Sequence, residues 1–154
     1  MDRGTKAAEL FLNGYNCAQA VAVAFSDLTG LDEQLSARLA SSFGGGMGRM
    51  REVCGAVSGM LMVAGVLYGY DTPGDDTVKK AHYTLVQNLA GEFREKNGSI
   101  ICREILKNPP SDPAPSARTA EYYASRPCAR MVYTAANILE AYIKENPYAL
   151  SDTE

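Results

Sequence analysis

The chain has no tryptophan, one histidine (His82) and no Cys-x-x-Cys pair anywhere in its 154 residues. The missing pair argues against a zinc ribbon or a thioredoxin-like site. Without Cys-x-x-Cys-His, covalent haem is excluded on this chain. No strand-like alternation runs longer than a few residues, and no repeat recurs at solenoid spacing. Charges of both signs are mixed, with a net charge of −3. That balance disfavours nucleic acid, which usually selects a basic face. The N-terminus, MDRGTKAAELFLNG, lacks an apolar signal-peptide core. A cytoplasmic location is therefore expected. There thiols stay reduced, and the four cysteines, Cys17, Cys54, Cys102 and Cys128, read as metal-binding or redox-active rather than as a disulfide frame. One uncharged run, residues 53–70, just reaches spanning length. It is glycine-rich and stands alone, so a buried central helix is expected and no membrane span.

What is present is helical periodicity. It predicts an all-α fold, a compact single-domain bundle of about seven helices over residues 1–154, with a Pro-rich connector at 108–117 and a frayed tail at 147–154. The helices run from Arg3 to Leu12; from Cys17, with Asn16 as cap, to Gly30; from Asp32 to Phe43; from Cys54 to Tyr68; from Asp76 or Thr77 to Asn97; a short one capped by Ser99 and carrying Cys102; and one opened by Pro127 and ending before Pro147. A further irregular turn is expected between Ala117 and Ser125. The inward stripes include Leu35, Leu39 and Phe43 in the third helix, and Val78, His82, Leu85, Leu89 and Phe93 in the fifth. Tyr15, Tyr68, Tyr70, Tyr83 and Tyr133 read as core residues. Gly55 and Gly59 share one face and let another backbone approach, within the subunit or across a dimer.

The chain is organised around residues 43–70, FGGGMGRMREVCGAVSGMLMVAGVLYGY. Gly44, Gly45, Gly46 and Gly48 free the backbone to point N–H groups together, and with Arg49 and Arg51 they form a candidate site for an anionic or flat cofactor. A tight turn that packs two helices is the simpler use of the same glycines. Each cysteine falls in the first turn of a predicted helix and on its apolar stripe. Helices two, four and six start at one end of an antiparallel bundle. The long connector could return the chain to place Cys128 with Cys17, Cys54 and Cys102. Helix N-termini would then lower the thiol pKa values. Cys54, beside the glycine loop and Arg51, is expected to be the most reactive. Four such thiols could cycle as redox pairs or hold zinc or an iron–sulfur cluster. Otherwise they are four buried small hydrophobes. His82 reads as a core histidine, or as a ligand or proton donor to a thiolate.

The segments GYNCAQ and CGAVSG, the latter after FGGGMGRM, with two later single cysteines, resemble the redox-active protein family named for its pattern, C_GCAxxG_C_C. The resemblance runs over roughly residues 14–128, and all four family cysteine positions are filled. The family is similar to a domain of split-Soret cytochromes, which are helical dimeric proteins. The resemblance implies a helical fold and a thiol-based redox or metal role, as oxidoreductase or electron carrier with an unidentified redox partner. A homodimer fits it and the glycine-rich helix. A different reading stays open: a non-catalytic helical module whose glycine loop holds a small anionic or flat ligand, with structural cysteines.

Overall fold

The structure, a computed structural model, describes residues 1–148 and is all-α. Most of the expected frayed tail lies outside the described residues. Local capping chemistry sets most boundaries. Helix α1 (Arg3–Leu12) starts where the Asp2 side chain accepts the Thr5 N–H. Helix α2 (Cys17–Ala24) opens with a reciprocal box: Asn16 accepts from the Gln19 N–H and the Gln19 side chain accepts from the Asn16 N–H. The predicted second helix breaks at Phe25 and continues as α3 (Ser26–Thr29), which Gly30 ends with φ +76°. Asp32 caps α4 (Glu33–Ala40), and a 3-10 turn (Ser41–Phe43) leads into the single irregular turn α5 (Gly44–Met47). Then come α6 (Gly55–Tyr68), α7 (Asp76–Asn97), α8 (Cys102–Ile105), α9 (Ala120–Ser125) and α10 (Cys128–Glu145). Among the described residues no helix is long and apolar enough to cross a membrane.

The core lies between α1, α2, α6 and α10, with Phe25, Met60, Phe93, Met131 and Leu139 fully buried. Helix α2 is buried nearly all round because it runs through the middle. Its crossing with α6 is a backbone contact. A Cβ at Gly59 would stand 2.6 Å from the Ala18 carbonyl oxygen, and one at Gly55 would stand 2.8 Å from the Phe43 oxygen. The small-residue face of α6 is thus occupied inside the subunit. Gly59→Ala must push α2 aside and should lose about 1–3 kcal/mol of stability. Gly65→Ala, with nothing within 4 Å of its added methyl, should instead gain about 0.5–1 kcal/mol. Denaturant midpoints of the two variants check the pair.

Three expected faces are corrected. Leu35 and Leu39 are 43% and 54% exposed, and α4 buries Ser36 and Ala40 instead. Small residues win that face because α4 lies close against α2, and bulk is turned out toward a groove lined by Leu39, Phe43, Met62 and Val66. In α7 only the second half is packed. Leu85, Leu89 and Phe93 are buried, Val78 is exposed, and the first two turns stand off the body. Tyr70, Tyr83 and Tyr133 are exposed rather than core.

Candidate functional site: a thiol chamber

The glycine segment builds the site. Gly45, Gly46 and Gly48 take positive φ, and so do Met47, Arg49 and Arg51. This left-handed run coils residues 44–52 into a tight knot, closed by the N–H groups of Arg51 and Glu52 donating to the Gly45 and Gly46 carbonyls (3.2 and 2.9 Å). A Cβ at Gly46 would stand 2.7 Å from the Cys102 Cβ, so glycine is required there on both counts. The chain then leaves as a short extended piece and pairs with residues 100–103. Val53 and Ile101 form an antiparallel bridge. The Cys54 N–H donates to the Ile100 oxygen (2.7 Å), and the Cys102 N–H to the Glu52 oxygen (2.6 Å). That bridge fastens the starts of α6 and α8 side by side.

Cys17 is the first residue of α2, Cys54 the cap of α6, Cys102 the first residue of α8 and Cys128 the first of α10. All four line one cavity of about 60 Å³, together with Gly45, Arg51, Arg118, Tyr122 and Arg126. The long connector does return the chain to this end. All four cysteines are free thiols. Among the described residues no group of three or more Cys, His, Asp or Glu stands in geometry to hold a metal ion. His82 does not line the chamber; its ring sits 6.0 Å from that of Tyr70.

The expected electrostatics are reversed for three of the thiols. Burial pushes Cys17 above its ordinary pKa, and the Gly45 N–H offsets this only in part. Burial pushes Cys54 well above its ordinary pKa, and the neighbouring Cys17 adds to it. Cys128 is pushed up to about 12 by burial, then by Cys17 and Cys102, against the pull of Arg126 and Arg51. Helix starts favour thiolates, but in a closed apolar chamber desolvation is the larger effect. For Cys54, expected to be the most reactive thiol, burial works against the thiolate form.

Arg51 does not attend Cys54. Its Nη1 lies 3.7 Å from the Cys102 sulfur, and its Nε donates to the Pro110 oxygen (2.9 Å). Of the other expected cofactor residues, Gly44, Gly45 and Arg49 line a neighbouring recess with Arg51. Gly46 is buried behind the chamber wall and Gly48 lines neither space. Sequence reasoning missed Arg118, Tyr122 and Arg126. Arg118 donates to the Phe11 and Tyr15 oxygens (3.2 Å each) and stacks 4.6 Å from the Phe11 ring; Arg126 stacks 4.7 Å from Tyr122. Two arginines and two tyrosines crowded just before Cys128, in ARTAEYYASRPC, were the available signal.

One family model, described as "Putative redox-active protein (C_GCAxxG_C_C)", matches residues 15–142. No curated protein and no solved structure matches the chain.

Proposed function

Since this chain belongs to the C_GCAxxG_C_C family of redox-active proteins, we propose that it is a dithiol redox protein whose chamber thiols pass electrons in pairs to a disulfide acceptor. The observation that carries this is convergence: cysteines from four distant points of the chain line a single small cavity. Buried cysteines that were only packing would be scattered through the core.

Cys102 is the first attacker in this reading, because the Arg51 guanidinium donates a hydrogen bond to its sulfur at 3.7 Å. Its thiolate attacks one sulfur of the acceptor disulfide. The acceptor's S–S bond breaks, one acceptor thiol leaves with a proton, and a mixed disulfide remains. A second chamber thiol then attacks the Cys102 sulfur and releases the second acceptor thiol. Two protein thiols become one disulfide and one acceptor disulfide becomes two thiols. Cys17 is the resolving partner in this reading. It lines the same small cavity as Cys102, from the first turn of α2. The cytosol, where thiols are kept reduced, is the compartment this chemistry fits.

A resident iron–sulfur cluster or zinc ion is the second reading, favoured by the same convergence. Among the described residues its donors are not in ligating geometry. Protein purified without oxygen decides, through an absorption spectrum, metal analysis and a thiol count before and after mild oxidation. Colourless, metal-free protein that loses thiols reversibly in twos is the expected result. Visible absorption with iron and sulfide, or stoichiometric zinc, would replace the dithiol reading with a metal centre. Four thiols that never react under native conditions would leave a binding module.

A further inference from the structure

The chamber is too small to admit a whole substrate. Beside it lies a recess of about 190 Å³ that shares Arg51, Arg118, Arg126 and Tyr122 with the chamber and adds Arg49 and Ser116. Four arginines meet here in a chain whose net charge is −3. Among the described residues lining the recess none is Asp or Glu. Arg49 has one carboxylate in reach, Asp112 on the surface at 4.0 Å. Among the described residues, Arg51, Arg118 and Arg126 have none within ion-pair distance.

Arg51 is only 4% exposed, and its Nη2 is buried with no hydrogen-bond partner among the described residues. The Nε of Arg49 is in the same condition. A buried guanidinium left without an anion is expensive, and structures keep such groups where something pairs with them. The planar fork of arginine suits an oxyanion held by two parallel hydrogen bonds. Arg126 and Arg49 are tied to each other only through Ser116, whose hydroxyl lies 3.4 and 3.3 Å from their nitrogens. Cation–π contacts with the Tyr122 ring, at 5.2 and 4.7 Å, hold the Arg118 and Arg126 guanidinium groups in place without supplying an anion.

We propose that this recess binds the carboxylate end of a small acidic disulfide and that this molecule is the acceptor of the thiol chamber. The proposal rests on the redox reading above. Arg51 joins the two spaces: it lines both, and its Nη1 lies 3.7 Å from the Cys102 sulfur. A carboxylate held at the recess leaves the disulfide sulfur of the same molecule to reach Cys102. The exchange then runs as written above, with the acidic disulfide reduced to two acidic thiols and two protein thiols oxidised to one disulfide.

Two measurements test it. Reduced protein is mixed, without oxygen, with dithiodiglycolate, 2-hydroxyethyl disulfide or cystamine, and each rate is divided by that of a free small thiol with the same reagent. The acidic disulfide should be favoured at least tenfold over the neutral one, with the cationic one slowest. Arg126→Gln should cut that preference fivefold or more, and Arg126→Lys should restore part of it. Separately, binding of thiodiglycolate, a thioether that cannot be reduced, is followed by calorimetry on the wild type and on R126Q and R49Q. Binding to the wild type that weakens at least fivefold in either variant supports the site. Rates without charge order, or no thiodiglycolate binding, would overturn the proposal while thiol oxidation by the neutral reagent kept the redox reading standing. Inorganic sulfate binding as tightly as thiodiglycolate would make this a plain oxyanion site and overturn the assignment of an organic disulfide. If no disulfide reacts, the redox reading fails and the acceptor assignment falls with it, whatever the recess binds.

Discussion

Cys102→Ser should abolish the reaction of the reduced protein with small disulfides, and Arg51→Gln should slow it by roughly 10–100-fold. The second figure follows from the strength of a hydrogen bond to a charged group, about 1.5–3 kcal/mol, with each 1.4 kcal/mol a factor of ten. Serine cannot replace the attacking sulfur, because its hydroxyl stays protonated and there is no base beside it to take the proton. Stopped-flow thiol loss under argon gives both numbers, and a melting curve confirms that each variant is folded. The comparison with Cys54→Ser is informative. The sequence ranks Cys54 first, whereas the structure buries both residues alike and sets the arginine on Cys102. A Cys102→Ser protein that still reacts at the wild-type rate would show that another thiol leads the exchange.

Alkali should unfold this protein earlier than its composition suggests. In the unfolded chain the Cys128 thiol ionises near its ordinary value of 9.0. In the fold Cys128 keeps its proton up to about pH 12, against an ordinary value of 9.0, because burial and the neighbouring sulfurs oppose the charge. Between those values the folded state binds more protons than the unfolded state, so stability falls as pH rises. Below pH 9.0 the contribution is present almost in full. Each pH unit inside the window removes up to about 1.4 kcal/mol per thiol, so Cys128 alone accounts for about 2 kcal/mol by pH 10.5. Cys17 and Cys54 act in the same direction. Against a total of about 5–15 kcal/mol for an ordinary domain, this is a large fraction. Tyr68, also pushed up to about 12 by burial, contributes equally to wild type and variant and cancels in the difference. Urea midpoints at pH 8 and pH 10.5 for wild type and Cys128→Ser check it. The variant should lose about 2 kcal/mol less on the same shift. Equal losses would mean that the Cys128 thiol ionises in the fold as freely as in the open chain.

These outcomes divide along the range of the forces involved. Helix starts at Asp2, Asn16 and Asp32, stops at Gly30 and Gly98, and the placing of each cysteine at a helix start were legible in the sequence. They depend on side chains reaching backbone groups a few residues away. The glycine contact of α6 was legible too, since two glycines four apart can serve little else on a buried helix. Tertiary structure decided the rest. The face α4 presents depends on the closeness of α2, and periodicity cannot distinguish Leu35 and Leu39 from Ser36 and Ala40 on that ground. The protonation of the thiols depends on how much water the assembled chamber excludes, a property no single helix start possesses. Arg51 faces Cys102 because a bridge joins Val53 to Ile101 across nearly fifty residues of sequence. Arg118 and Arg126 reach the site from beyond the proline-rich connector. Local chemistry set where each thiol sits on its helix, and long-range packing set its charge, its neighbours and what could approach it.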